Sequence, residues 1–149
     1  MRKIILLILL MLTLNFGFGQ TKGSLIINDS LIGQYFEEFV YEAFKNGYDV
    51  QDQLLDKITF ILIANDDKEI EGLSEIDLNN GLIVLDSKVR IDRLVLKASL
   101  YRELCHILGA PYNTISVIMD RVREKHFSYI AFDDPEIVSI EITKILNSL

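Results

Sequence analysis

The sequence predicts a single α+β domain with a small mixed sheet. Apolar residues recur at helical spacing in three segments, and short runs rich in Ile, Leu and Val lie between the first two. The chain has 149 residues, half of them hydrophobic, which suits one buried core but leaves no room for two ordinary domains. We therefore expect a long N-terminal helix, a buried second helix and a C-terminal helix around the sheet.

The first predicted helix begins after a capping residue at Asp29 or Ser30 and ends at Gly47, and a short strand at Ser24–Ile27 precedes it. Its apolar residues follow the i, i+3, i+4, i+7 pattern, so we expect one face to pack into the core rather than bind a ligand. That face comprises Ile32, Tyr35, Phe36, Phe39, Val40, Ala43 and Phe44.

Three apolar runs predict the main strands of the sheet, namely Ile58–Ile63, Ile76–Leu78 and Leu82–Leu85. The residues Asn79-Asn80-Gly81 between the last two runs are typical of a hairpin. The polar stretch Asn65–Glu69 is interpreted as a solvated turn, because its two aspartates lack the spacing of a calcium loop.

The second predicted helix, Ile91–Leu108, carries two apolar stripes and should be buried on most of its sides. Gly109 should end it, and Asn113–Met119 is expected to form a compact turn. The last helix is predicted to begin near Asp133-Asp134-Pro135, with proline in its first turn, and to run to about Leu146.

The composition argues against several classes of function. Asp and Glu total 22 against 15 Lys and Arg, and this net charge of -7 disfavours binding to nucleic acid or anionic lipid. A single cysteine excludes an internal disulfide and a cysteine-rich zinc cluster. The chain contains no Gly-rich phosphate loop, so nucleotide chemistry has no support.

The N-terminus predicts export to the periplasm or the medium. Basic residues at positions 2–3 precede the apolar run Ile4–Leu14 and two glycines suited to a signal peptidase. The run is short for a bilayer span, which favours a cleaved signal over the alternative, an uncleaved anchor. We therefore predict a signal peptide over residues 1–20 and one mature domain over residues 21–149, without a membrane segment after cleavage.

Polar residues in the last two turns of the second helix are the candidate functional residues, because burying a polar side chain costs free energy unless it is hydrogen-bonded. Arg102 and His106 share a helix face, and Glu103 neighbours His106. The stretch Tyr101–Tyr112 resembles the His-Glu-x-x-His-x-x-Gly-x-x-His helix of zincin metallopeptidases of metzincin type. The resemblance implies that Glu103 matches the general base, His106 the second zinc ligand and Gly109 the turn glycine.

The resemblance extends beyond this helix. Ser116–Met119 resembles the Met-turn beneath the metal of metzincins, which makes Met119 a supporting position. The order of helices and strands over residues 30–149 looks like that of small exported bacterial metallopeptidases. The resemblance therefore implies a zincin-like fold.

Two departures from the motif decide what this resemblance implies about activity. Arg102 stands where the first zinc ligand is expected, and an arginine has no lone pair to donate. Tyr112 stands at the third ligand position, where its ordinary pKa near 10 argues against ligation. Because a catalytic zinc needs three protein ligands, we expect no resident cofactor, with Glu103 a vestigial base and His106 a vestigial ligand.

Zinc is retained as the alternative, through Cys105 or through His126 with Glu124. A structural interpretation also stays open, in which Arg102 contacts Glu103, a more distant acid or the Tyr112 position. In that case His106 is simply a half-buried histidine with satisfied hydrogen bonds.

The leading functional prediction is an exported, catalytically inactive zincin-like homologue. Its cleft would bind an extended peptide or protein by strand addition, with Leu82–Leu85 as the expected edge strand. One alternative is an active metallopeptidase with an altered ligand set. The other is an unrelated α+β binding module in which Glu-x-x-His occurs by chance.

Overall fold

The computed structural model describes residues 24–65, 73–111 and 133–149, which fold into four helices and one four-stranded mixed sheet. The helices are α1 (Ser30–Lys45), α2 (Gln51–Lys57), α3 (Arg93–Leu108) and α4 (Pro135–Leu146). The strands are β1 (Ile26–Ile27), β2 (Phe60–Ile63), β3 (Ser74–Asp77) and β4 (Leu82–Leu85), and a 3₁₀ turn covers Ser87–Ile91. The predicted α+β class is confirmed. The predicted signal peptide, the turn at Asn113–Met119 and most of the turn at Asn65–Glu69 lie outside the described residues.

The strand order in the sheet is β1-β2-β4-β3. Strands β1, β2 and β4 run parallel, whereas β3 pairs with β4 in the antiparallel direction, with Ser74 opposite Leu85 and Asp77 opposite Leu82. Gly81 has a positive φ of 61° in the turn between β3 and β4, which confirms the hairpin.

The prediction that Leu82–Leu85 forms an edge strand is wrong. Strand β4 lies between β2 and β3, and among the described residues β3 is the edge strand at that end of the sheet. The physical reason is burial. Three of the four side chains of β4 are buried, as expected for an internal strand, whereas none of those of β3 is fully buried.

Helix α1 packs its apolar face into the core as predicted, and the Asp29 carboxylate caps it by accepting from the backbone N–H groups of Leu31 and Ile32. Phe39 is fully buried and meets the Tyr101 ring edge to face, with 5.1 Å between centroids. Phe44 departs from the prediction, since 66% of it is exposed. At 100° per residue it lies about 120° around the helix from Ile32, beyond the margin of the buried stripe.

Helix α3 is buried on most of its sides, as its two apolar stripes predict, and contacts α1, α2, β3, β4 and the 3₁₀ turn. Asp92 caps its N-terminus, so the helix begins two residues later than predicted. The C-terminal helix begins at Pro135, as predicted, and the Asp134 side chain caps it.

Helix α2 was not predicted from the sequence. It spans only seven residues, buries Leu54 alone and has no side-chain cap, so it offers no periodic signal. Its last residue, Lys57, donates from Nζ to the backbone oxygen of Ile107 at 2.7 Å. Helix α2 therefore supports the C-terminal end of α3, where the motif residues lie.

Candidate functional site

The motif residues lie in the last two turns of α3, next to the edge strand β3. Glu103 is only 4% exposed, and its Oε1 accepts a hydrogen bond from the hydroxyl of Ser74 on β3. A buried carboxylate is costly unless it is hydrogen-bonded, so this contact joins the helix to the edge strand. Sequence reasoning missed Ser74, because it lies outside the predicted strand and 29 positions from Glu103.

His106 is half-buried and held in one tautomer. Its Nδ1 lies 2.7 Å from the backbone oxygen of Ala110. A carbonyl oxygen can only accept, so Nδ1 carries the proton and the neutral ring keeps its lone pair on Nε2. Burial lowers the pKa of His106, and the charge of Arg102 acts in the same direction. The Ala110 hydrogen bond and the charge of Glu103 oppose them.

The turn at Gly109 creates the contact that fixes His106. Gly109 has a φ of 116°, in the left-handed region that favours glycine, and its N–H donates to the His106 carbonyl at 3.0 Å. The Ala110 N–H donates to the Cys105 carbonyl at 2.9 Å. The chain thereby folds back over the last helical turn, which confirms the predicted helix end at Gly109.

Arg102 is half-buried near the imidazole, and its charge helps to lower the pKa of His106. Among the described residues, its buried Nε has no hydrogen-bond partner. The ion pairs of the same residues include none between Arg102 and Glu103, and Glu103 is bound by Ser74 instead. Adjacent residues on a helix point in different directions, which explains why the hypothesised contact does not form.

Cys105 is poorly placed to supply the thiolate that the alternative zinc site would need. The side chain is completely buried in the core, where burial and the nearby charge of Glu103 raise the pKa of the thiol. Position 105 faces the core rather than the cleft, and apolar burial keeps a thiol protonated. The burial of Cys105 therefore argues against a role as a zinc ligand.

A cleft of about 510 Å³ lies between β3 and the end of α3. The residues that line it include two acidic residues of β3, His106 and several apolar residues. The described lining residues are Glu75, Ile76, Asp77, Leu78, Asn79, His106, Ala110 and Pro111. Strand β3 and His106 therefore line the same cleft.

The described residues do not fit a catalytic zinc ion. Across residues 24–65, 73–111 and 133–149, no three His, Cys, Asp or Glu side chains are grouped so that they could hold a metal. His106 offers one lone pair, but the permanent cation of Arg102 stands nearby. The positions Tyr112, Met119, Glu124 and His126 lie outside the described residues.

No family model, curated protein or solved structure matches the chain. Within the part of the chain that the structure describes, no helix is both long enough and apolar enough to cross a membrane.

Proposed function

We propose that this chain is an exported zincin-like domain that has lost zinc-dependent catalysis and binds an extended peptide along strand β3. The observation that carries the proposal is the shared cleft. The antiparallel edge strand and His106 line the same cavity at the end of the motif helix. An exposed strand edge next to a groove is suited to strand addition, in which backbone hydrogen bonds hold an extended segment.

The loss of catalysis follows from the residues at the ligand positions. A guanidinium at position 102 cannot ligate zinc and repels a dication. The Glu103 carboxylate, at the position of the general base, is bound by the Ser74 hydroxyl. The tautomer of His106 is the one that a ligating histidine needs, which supports descent from a metal-binding helix.

Restoring the two lost histidines tests this origin. We expect the wild-type protein to purify without stoichiometric zinc, whereas Arg102→His with Tyr112→His should bind about one zinc ion, because three ligands are rebuilt. A matched control is Arg90→His with Tyr41→His, which adds two histidines at exposed positions outside the motif. Zinc is measured by elemental analysis after dialysis, and folding by circular dichroism.

Two results would contradict the proposal. Tight stoichiometric zinc in the wild-type protein would favour the alternative of an active metallopeptidase with other ligands, which the His106 tautomer also suits. Absence of zinc from a folded double variant would indicate that the motif is a chance match in an unrelated binding module. Activity can stay absent in the zinc-loaded variant, because the groups that orient the ligands are not restored with them.

Export is tested separately. N-terminal sequencing of the native protein should find a start near residue 20, because a basic start, an apolar run and small residues precede it. An intact Met1 in the cytoplasmic fraction would refute export.

A further inference from the structure

The backbone groups and charged side chains of β3 indicate which kind of peptide would bind beside the cleft. This inference rests on the proposed function. The pairing of β3 with β4 determines which backbone groups of β3 would point toward an added strand. The Asp86 N–H donates to the Leu73 oxygen at 2.9 Å, which continues the register in which Ser74 lies opposite Leu85. In an antiparallel pair the hydrogen-bonded positions alternate, so the backbone groups of Ser74 and Ile76 point away from β4.

The side chains of β3 alternate between the two faces of the sheet. Ser74 reaches Glu103 and Ile76 packs against the core, so these two face α3. Glu75 and Asp77 consequently lie on the opposite face, two positions apart. A strand added to this edge would place every second side chain directly beside these two carboxylates.

The edge strand carries charge of one sign. Among the described residues that line the cleft, Glu75 and Asp77 are acidic and none is Lys or Arg. Asp77 is also held in place, because its carboxylate accepts from the backbone N–H groups of Asn79 and Asn80 and from the Asn80 amide. These hydrogen bonds, the Asn80 amide first, lower the pKa of Asp77. Its negative charge is therefore fixed in position.

We propose that the peptide bound along β3 is basic, with Lys or Arg at alternate positions beside Glu75 and Asp77. The residues between the cations face α3 and meet the apolar part of the cleft, which Ala110 and Pro111 help to line. Opposite charges on neighbouring strands stabilise a pair, whereas like charges destabilise it. The alternation applies to either direction of the added strand, because side chains alternate in both.

Fluorescence anisotropy with four labelled octapeptides tests this selectivity. The first alternates Lys with Val, the second replaces each Lys by Glu, and the third has the composition of the first but groups its lysines at one end. The fourth contains neither sign of charge, with Thr in place of Lys. We expect the alternating lysine peptide to bind about tenfold more tightly than the glutamate peptide, and two- to fivefold more tightly than the grouped one.

N-methylated peptides separate strand addition from simple charge attraction. In one version every Val nitrogen of the lysine peptide is methylated, and in the other every Lys nitrogen is. Only alternate N–H groups of an added strand point at β3, so one version should lose binding while the other keeps it. The version that loses binding also reports the direction of the added strand.

A variant pair locates the contact on the protein. Glu75→Gln should weaken the lysine peptide about two- to fivefold, whereas the matched control Glu37→Gln, on the exposed side of α1, should leave the affinity unchanged. Asp77 is left intact because its carboxylate holds the β3–β4 turn.

The outcomes distinguish the two proposals. Equal binding of lysine, threonine and glutamate peptides, with sensitivity to N-methylation, would overturn the basic selectivity and leave peptide binding intact. Lysine binding that ignores both N-methylation and grouping would overturn selectivity at β3 in favour of non-specific attraction to an acidic protein. Failure of all four peptides to bind would overturn the proposed function as well.

Discussion

Replacing Ser74 by alanine should destabilise the protein, because it removes the hydroxyl that donates to the buried Glu103 carboxylate. Glu103 is 4% exposed, so water cannot readily replace the lost donor. A hydrogen bond to a charged group contributes about 1.5–3 kcal/mol, and the loss should be of that size. At roughly 4 °C per kcal/mol for a domain of this length, the midpoint of thermal unfolding should fall by about 6–12 °C.

A double-mutant cycle assigns this loss to the contact itself. Glu103→Gln keeps an oxygen that accepts from Ser74 but removes the charge, so in that background Ser74→Ala should cost only about 0.5–1.5 kcal/mol. Urea unfolding of the four proteins gives the free energies, provided that the slopes agree. Ser30→Ala, at the exposed start of α1, is the control and should stay within about 0.5 kcal/mol of wild type. A free energy of unfolding that Ser74→Ala leaves unchanged would refute the β3–α3 contact.

Two further predictions concern the core and the histidine. Phe39→Asp should lower the free energy of unfolding by roughly 3–5 kcal/mol, because it places a charge in the core. Phe44→Asp, on the exposed side of the same helix, should lower it little. Equal melting temperatures for the two variants would contradict the packing of α1. Burial lowers the pKa of His106 below 6.5 in the folded protein, so between that lowered value and 6.5 the unfolded chain binds the proton preferentially. The stability that His106 contributes is therefore lost as the pH falls through this window. The difference in free energy of unfolding between wild type and His106→Gln should shrink from pH 7.5 to pH 5.5. A constant or growing difference would refute this pH dependence.

Most residues that carry the zincin resemblance lie on one helix, and the geometry of that helix sets their relative positions. The spacing of Arg102, Glu103 and His106 places them in the last two turns of α3, and Gly109 ends the helix because only glycine adopts its left-handed conformation readily. These placements are local, so they could be read from the sequence. The partner of Glu103 is not local, and nothing in the spacing indicated Ser74.

The sheet illustrates the same division. The sequence predicts the runs that form β2 and β4 and the hairpin before Leu82, because a strand is indicated by its own composition. It does not predict the order of the strands in the sheet, and the prediction of β4 as the edge strand is wrong. Which strand lies at an edge depends on pairings between distant segments, and the short β3 carries a weak pattern of its own.

The sequence by itself determined the α+β class, the bounds of the long helices to within two residues, the buried face of α1 and the position of the motif on α3. These features depend on periodicity, helix caps and glycine turns, which act over a few residues. Tertiary structure decided which groups meet. It buried Cys105 in the core, joined Ser74 to Glu103 and set the edge of β3 along the cleft. These outcomes depend on how separate elements pack against one another, and the free energy of that packing is shared among residues too far apart in sequence for any local pattern to record.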